Sequence, residues 1–227
     1  MARHLVATLV SLGLALVAVV DTSRATTITY SSPAAFDAAL STSITDDYTN
    51  SGYVFLQSDS QMSAVLGETR YMSTGFPNTD IVENQNTSPG TLLTHYCAGC
   101  NGSFTLDFSA TTVGSASGVF GVGFDFFNSG GSTGLLYTAF VTFGDGSTQD
   151  HALDQVIFPQ DEFFGITSTL DIKTIAFGPG NGETTQSGQF GLHDLTIGSA
   201  VPEPSSLAIF GIALIGLAIF WHRRKAT

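Results

Sequence analysis

The stretch GVFGVGFDFFN at residues 118–128 constrains the fold more than any other segment. Every second residue from Phe120 to Phe126 is apolar, and Gly121 and Gly123 fall between them. In an extended strand this alternation puts the apolar side chains on one face and the glycines on the other, whereas a helix needs apolar residues every three or four positions. The segment therefore predicts a β-strand with one face in the core.

The second half of the chain contains further segments of the same character. LLYTAFVTF at 135–143 is apolar on both sides of the pleat, as in a central strand, and GDGS at 144–147 predicts a hairpin turn after it. Many short strands, frequent turns and a phenylalanine-rich core favour a mainly β fold, an antiparallel β-sandwich. The remaining predicted strands of this half are 103–108, 147–153, 172–177 and 189–197.

The first half is less regular. TTITY at 26–30 predicts a strand, and SSPAAFDAAL after it predicts a short helix. Ser32 can cap the start of that helix and Pro33 suits its first turn. Phe36 and Leu40 would then share one face.

The charge of residues 26–200 is strongly negative. This part holds 17 of the chain's 19 acidic residues but only two of its seven basic ones, Arg70 and Lys173, for a formal net charge of −15. Such a surface repels nucleic acid and anionic lipid, which excludes nucleic-acid binding.

The C-terminus, VPEPSSLAIFGIALIGLAIFWHRRKAT, contains an apolar run that is short for a membrane anchor. The run from Leu207 to Trp221 has 15 residues. As a helix it spans roughly 22 Å, against about 30 Å for a bilayer core. The positive-inside tendency places the end of the chain in the cytoplasm, because the run is followed by a basic stop signal, Arg223, Arg224 and Lys225.

The tripeptide Pro202-Glu203-Pro204 precedes this run. The tripeptide, the short apolar helix and the basic cluster together resemble the PEP-CTERM sorting signal of exopolysaccharide-producing Gram-negative bacteria. The resemblance implies that an exosortase, a membrane-embedded cysteine transpeptidase, recognises the tripeptide and removes the tail. The body would then be released or attached at the cell surface. A plain C-terminal anchor is the alternative.

The N-terminus has the features of a secretory signal peptide. Arg3 and His4 precede an apolar stretch, and Ser23 and Ala25 supply the small residues that a cleavage site needs. An uncleaved helix is the alternative. The predicted organisation is a signal peptide at 1–25, a β-sandwich ectodomain at 26–200 and a sorting signal at 201–227, so hydrophobic helices flank the ectodomain.

Residues 103–198 are similar in their order of segments to the jelly-roll ectodomains of many PEP-CTERM proteins. Phe163, Phe164 and Gly165 match the Phe-Phe-Gly strand that precedes the last hairpin in those ectodomains. Asp194 matches one of two acidic residues expected in the final strand, and His193 stands where the other would be. The resemblance implies a jelly-roll-like sandwich and no particular function.

Cys97 and Cys100, in HYCAGCNG, are the only cysteines. A structural disulfide in an oxidising compartment is favoured. Free thiols, a metal site with His95 and a redox pair stay open, although turn-like flanks argue against the redox motif and a zinc site needs further ligands.

The residues do not predict catalysis. Gly130 to Gly134 fits a Gly-x-Ser-x-Gly pattern, but a nucleophile elbow needs a helix after the serine, and a strand is predicted there. His151 lies near acidic residues, yet as an edge-strand side chain it needs no chemical role. The adjacent acids of Asp46-Asp47 and Asp161-Glu162 would point to opposite faces of a strand, so neither pair forms a glycosidase-type dyad by itself.

Three functions are therefore open. The favoured one is a non-enzymatic surface or matrix protein associated with exopolysaccharide, with an exosortase as sorting partner and a transient membrane contact through its C-terminal helix. A carbohydrate-binding module is the second, and a polysaccharide hydrolase the third. No cofactor is expected, with calcium at Asp145 or the 178–183 loop as an alternative. The candidate sugar-stacking residues are Tyr48, Tyr53, Tyr71 and Tyr96, although a place in the core or an ordinary surface position is favoured for each of them.

Overall fold

The computed structural model describes residues 26–202, which form a mainly β, antiparallel, 12-stranded network. The strands are β1 (Thr27–Tyr30), β2 (Leu40–Asp46), β3 (Leu56–Gln57), β4 (Arg70–Ser73), β5 (Asp80–Glu83), β6 (His95–Ala98), β7 (Phe104–Asp107), β8 (Val119–Asn128), β9 (Tyr137–Phe143), β10 (Thr148–Ala152), β11 (Glu162–Pro179) and β12 (Phe190–Ala200). Two short helices, α1 (Pro33–Asp37) and α2 (Asp59–Ala64), accompany them.

The strands pair into two layers that share β11. In the front sheet the order is β1, β11, β8, β12 and β2, and β6, β5 and β3 extend it beside the first part of β12. In the back sheet the order is β10, β9, β11, β7 and β4. The prediction of a β-rich antiparallel fold is confirmed. The network is nevertheless continuous, because one strand serves both layers.

Strand β11 changes layer near its middle. Its first part, up to Thr167, pairs with β8, and its second part, from Ile172, pairs with β9. Asp171, between the two, has a positive φ of 54°. The strand folds back on itself. Its two parts bring Phe164 and Phe177 against the same ring, Phe124, with ring centroids 5.6 and 5.3 Å away. The two layers therefore face each other in a sandwich-like arrangement.

The space between the layers is filled by aromatic rings. Phe190 of β12 stacks on Tyr137 of β9 at 5.3 Å and on Phe177 of β11 at 5.1 Å, and Phe104 of β7 stacks on Phe177 at 4.8 Å. Each buried ring removes a large apolar area from water, so this cluster is the main source of stability.

The outer face of the front sheet, which points away from the back sheet, carries α1. Phe36 of this helix is fully buried against a patch of the sheet that has no side chains, at Gly121, Gly123 and Gly165. The alternation of phenylalanine and glycine in β8 thus serves two contacts, the core on one face and α1 on the other. As predicted, Pro33 opens the helix, but the Ser32 side chain makes no capping hydrogen bond and Leu40 belongs to β2.

Several elements were not predicted from the sequence. They are β2 to β6 and α2, which lie in the less regular first half. Helix α2 has a local signal that could have been used, a capping box between Ser58 and Gln61. The predicted strand at 172–177 is only the second part of β11, and the predicted strand at 189–197 continues to Ala200.

The predicted signal peptide at 1–25 lies outside the described residues, as does the apolar run from Leu207 to Trp221. Within residues 26–202, no helix is both long and apolar enough to cross a membrane.

Candidate functional site

The four tyrosines proposed as sugar-stacking residues are buried together in the core. Their exposed fractions are 0% for Tyr48, 4% for Tyr53, 2% for Tyr71 and 0% for Tyr96. Tyr96 packs against Tyr71 at 4.9 Å and against Tyr48 at 5.9 Å. These rings cannot reach a sugar, so the sugar-stacking alternative is wrong for them and the favoured interpretation as core residues is confirmed. Their large apolar area places them inside the fold.

Two buried carboxylates accept hydrogen bonds from tyrosine hydroxyl groups of this cluster. Tyr53 and Tyr71 donate to Oδ2 of Asp46, the latter at 3.1 Å, and Tyr96 donates to Oδ1 of Asp80 at 2.7 Å. Burial raises the pKa of Asp46 although these hydrogen bonds oppose the rise. Burial also raises the pKa of Asp80 to about 7, and the neighbouring carboxyl group of Asp59 adds to the effect. The cluster is a structural network of the core.

Cys97 and Cys100 are joined in a disulfide in the structure. It closes the turn that follows β6, where Gly99 and Cys100 have positive φ values of 55° and 58°. His95 lies nearby, but its ring packs edge-on against Phe127 at 5.1 Å and its Nδ1 lies 3.0 Å from the carbonyl oxygen of Leu93. Both sulfur atoms are used by the disulfide, so they are not available to a metal. Oxidation of this pair in the exported protein stays a prediction.

A cluster of polar groups on the outer face of the front sheet was not predicted as a site. Asp125 of β8 lies directly opposite His193 of β12. The Nδ1 atom of His193 is 3.1 Å from Oδ2 of Asp194, and its Nε2 atom is 2.8 Å from Oδ2 of Asp161. In the sequence, His193 stands out only because it takes the place of one of the two acidic residues expected in the final strand. The partners come from three different elements, so no local pattern reveals them.

The ionisation of this cluster follows from its mixture of charges. Burial alone would lower the pKa of His193, but the surrounding carboxyl groups, with the hydrogen-bonded Asp194 first, raise it above its ordinary value. Burial raises the pKa of Asp125, and the imidazole opposes that rise.

An open groove lies between β1, β10 and the start of β11, with a volume of about 470 Å³. Its lining brings acids and aromatic rings together in one concave surface. Its acidic, histidine and aromatic lining residues are Tyr30, Asp150, His151, Asp154, Glu162 and Phe164.

His151 in this groove does not form a histidine–aspartate dyad. Among the described residues, every histidine–carboxylate pair within 4.0 Å involves His193 instead. Burial lowers the pKa of His151, and its ring lies 5.3 Å from Phe164. It lies on β10, the end strand of the back sheet, as expected for an edge-strand histidine.

The other candidates for chemistry are parts of turns. Ser132 lies in a 3₁₀ turn, Gly131–Thr133, that leads into strand β9, so the helix of a nucleophile elbow is absent at this position of the described chain. Asp145 accepts hydrogen bonds from the backbone and side chain of Ser147. In the 178–183 loop, Asn181 donates to Glu183. Both places where calcium is the alternative therefore lie in hydrogen-bonded turns, and calcium binding there stays a prediction.

The last strand leads directly to the sorting tripeptide. Strand β12 ends at Ala200, which pairs with Leu40 of β2, and the exposed Val201 and Pro202 follow at once. Glu203, Pro204 and the basic residues Arg223, Arg224 and Lys225 lie outside the described residues.

The start of the ectodomain lies at the same end of the front sheet as Ala200. Thr27 pairs with Ser168 of β11, Thr167 pairs with Gly121 of β8, and Gly121 pairs with Gly198 of β12. Only β11 and β8 separate β1 from β12. At the usual strand spacing, the two ends of the domain are about 14 Å apart.

Comparison with known protein families decides the nature of the C-terminus. Residues 200–225 match the PEP-CTERM protein-sorting motif. The chain carries a PEP-CTERM sorting signal. No curated protein and no solved structure matches the chain.

The PEP-CTERM motif implies that this is an exported protein directed to the cell surface by an exosortase system, with the exosortase as its sorting partner. The match begins at Ala200, the last residue of β12. The boundary between the folded domain and the PEP-CTERM signal therefore coincides with the end of the front sheet, and almost no linker separates them.

Proposed function

We propose that this PEP-CTERM protein is a non-enzymatic component of the cell surface or extracellular matrix that associates with exopolysaccharide. The observation that carries the proposal is the sorting motif at the end of the last strand. A protein delivered by an exosortase system acts outside the inner membrane, and its sorting signal resembles that of bacteria that secrete exopolysaccharide. The strongly acidic, lysine-poor surface of residues 26–200 suits this setting.

In this proposal the C-terminal tail holds the protein in the inner membrane only until it is processed. The apolar run from Leu207 to Trp221 is shorter than a bilayer core, and its basic end faces the cytoplasm. Exosortase then acts near Pro202-Glu203-Pro204 and releases the domain or transfers it to the surface. Thr26 and Ala200 lie at the same end of the front sheet, which supports this order of events. The hydrophobic segments before Thr26 and after Ala200 can therefore both reach one membrane while the domain folds.

A non-enzymatic role is supported by the surroundings of the acids and the histidine that would be candidates for catalysis. Asp46 and Asp80 accept tyrosine hydroxyl groups in the core. His151 has no carboxylate within 4.0 Å among the described residues. Turnover of any matrix polysaccharide by the purified protein would overturn this part of the proposal.

The sorting step is tested by mass spectrometry of the mature C-terminus. We expect surface-exposed protein to lack peptides that contain Trp221, and a Glu203→Gln variant to retain them in the membrane fraction. Glu183→Gln, in an exposed loop of the domain, is the matched control and should be processed normally. Recovery of Trp221 peptides from wild-type surface protein contradicts the proposal.

The association with exopolysaccharide is tested separately. The mature protein is compared in cells that make exopolysaccharide and in cells that do not. We expect it to stay with the surface fraction in the first and to enter the medium in the second. Equal release from both contradicts the association without affecting the sorting proposal.

A carbohydrate-binding module is the second candidate, and the groove beside Tyr30 is the observation that favours it. Half-buried Tyr30 can present its ring to a sugar, and Asp150 and Glu162 can accept sugar hydroxyl groups. The test is a glycan pull-down with the mature protein. Tyr30→Ala and Glu162→Gln should each abolish retention, with Glu183→Gln as the control. Equal retention of all variants excludes the groove.

A further inference from the structure

The cluster around His193 has the arrangement of ligand atoms that a metal ion requires. One oxygen of Asp125, one ring nitrogen of His193 and one oxygen of Asp194 all lie within 4.8 Å of one another. Asp161 reaches the same imidazole from the segment that precedes β11, at 2.8 Å from Nε2. Three potential ligands therefore converge from β8 and β12, and Asp161 lies at the opposite ring nitrogen of His193.

The backbone is shaped to bring these groups together. The pairing of β12 with β8 shifts register between His193 and Thr196, and Asp194 at this bulge has a positive φ of 49°. A regular strand would turn Asp194 to the opposite face from His193. The bulge redirects it, so that its carboxylate hydrogen-bonds the neighbouring imidazole.

The charges of the cluster are not balanced by the protein. Three carboxylates meet a single imidazole, and the two basic side chains of the described domain, Arg70 and Lys173, form no ion pair within 4.0 Å of any carboxylate there. A divalent cation would supply the positive charge that is lacking.

His193 itself has an unmet bonding capacity. The residue is 7% exposed, and its buried Nε2 atom makes no hydrogen bond of acceptable geometry within residues 26–202, although Asp161 is close. A short distance without hydrogen-bond alignment is a poor use of a buried ring nitrogen. The Asp161 and Asp194 side chains are 42% and 51% exposed, which leaves a path for an ion from solvent.

We propose that His193, Asp125 and Asp194 bind one divalent transition-metal cation of the zinc class, while Asp161 holds the opposite ring nitrogen of His193 and orients the imidazole. Imidazole nitrogen combined with carboxylate oxygen favours zinc and its neighbours, whereas calcium prefers ligand sets of oxygen alone. The ion binds to neutral imidazole and carboxylates. It ties β8 to β12 and, through the imidazole, holds the segment before β11, so its role is to stabilise the outer face of the front sheet.

The test is calorimetric titration of Zn²⁺ into the full chain, purified without a polyhistidine tag and stripped with a chelator. We expect one equivalent to bind. His193→Asn removes a ligand atom, and Asp161→Asn removes the carboxylate that orients the imidazole, so each should weaken binding by at least about tenfold. Asp37→Asn and Glu183→Gln remove exposed carboxylates outside the cluster and should leave the affinity unchanged.

Each outcome of this experiment decides the proposal. Absence of Zn²⁺ binding to the wild-type chain, or equal binding by all four variants, overturns it and leaves an ion pair only. Calcium binding as tight as zinc binding overturns the role of the imidazole. Should His193→Asn unfold, as judged by circular dichroism, the result for Asp161→Asn decides, since its side chain is largely at the surface. A visible Co²⁺ absorption band that Asp161→Asn removes supports the site.

Discussion

The buried acids show how single residues acquire their properties from distant partners. Asp80 is fully buried, its Oδ1 accepts a hydrogen bond from Tyr96, and its Oδ2 has no hydrogen-bond partner within the described domain. In the sequence it is one acid among many. Because an unpaired buried charge is costly, the protonated form is favoured, and the protein carries a built-in sensitivity to pH at this position.

Replacement of Asp80 by asparagine should flatten the dependence of stability on pH. The raised pKa of about 7 means that the folded protein retains a proton that the unfolded chain has lost, so stability falls as pH rises from about 4 to about 7. Asp80→Asn should therefore be more stable than wild type at pH 8, by on the order of a few kcal/mol, and the difference should shrink towards pH 4.

Urea denaturation at several pH values measures this effect. Asp37→Asn, at an exposed position of α1, is the control and should keep the wild-type dependence. The slope of the free energy of unfolding against pH should decrease in Asp80→Asn rather than vanish, because the raised pKa values of Asp46 and Asp125 act in the same direction. An unchanged slope in Asp80→Asn would show that the carboxyl group is charged in the folded state.

At the scale of elements, the contact between α1 and the front sheet depends on glycines. An added Cβ atom at Gly123 would lie 2.7 Å from a ring carbon of Phe36 and 2.8 Å from one of Phe163. Helix α1 has only five residues and cannot be stable by itself, so its position is fixed by the burial of Phe36.

Gly123→Ala should lower the free energy of unfolding by about 1–3 kcal/mol, because the methyl group overpacks the contact. Phe36→Ala should lower it by about 3–5 kcal/mol through the loss of a buried ring. The double variant should lose less than the sum, since loss of the Phe36 ring removes one of the two close contacts of the methyl group and lets the Phe163 ring move aside. Denaturant titration measures all three.

Gly180→Ala is the matched control, because its added Cβ would approach nothing closer than 3.6 Å. Its stability should be near that of wild type. If the two losses add strictly in the double variant, the effect of Gly123→Ala does not come from contact with the Phe36 ring, and glycine is required there for its backbone conformation.

How far the elements could be predicted depends on the strength of the local pattern. Strands β8 and β12 were predicted because their apolar residues alternate over many positions, and β9 because it is apolar on both sides of the pleat. The short strands β3 to β6 were missed, since each has four residues or fewer and takes its conformation from its neighbours. The fold-back of β11 could not be predicted, because a strand that serves two layers differs from a straight one only in its long-range pairing.

At the scale of the whole molecule, both ends of the ectodomain leave from one end of the front sheet. The loop at 115–118 and the hairpin at 144–147 lie at this end, since Gly118 approaches the carbonyl oxygen of Ile172 and Gly144 bonds to Leu170. The 180–184 loop follows Pro179 at the opposite end, where β11 pairs with the start of β9.

This geometry predicts which end of the unprocessed protein faces the membrane. A fluorescent label at Ala116→Cys should be quenched strongly by headgroup-labelled lipid, and the same label at Thr184→Cys should not. The measurement uses the full Glu203→Gln chain in vesicles, where the tail is retained, with both native cysteines replaced by alanine. Equal quenching of the two labels, or stronger quenching at Thr184→Cys, would contradict the orientation.

The sequence by itself determined the class of fold, the sorting signal and the charge. These are local properties: alternation over ten residues predicts a strand, and the order of tripeptide, apolar run and basic cluster is contained within the match at 200–225. Only the tertiary structure decided that the four tyrosines are core residues and that Asp125, Asp161 and His193 meet. Their proximity depends on the register of β8, β11 and β12, and pairing between strands far apart in the chain leaves no pattern in any one of them.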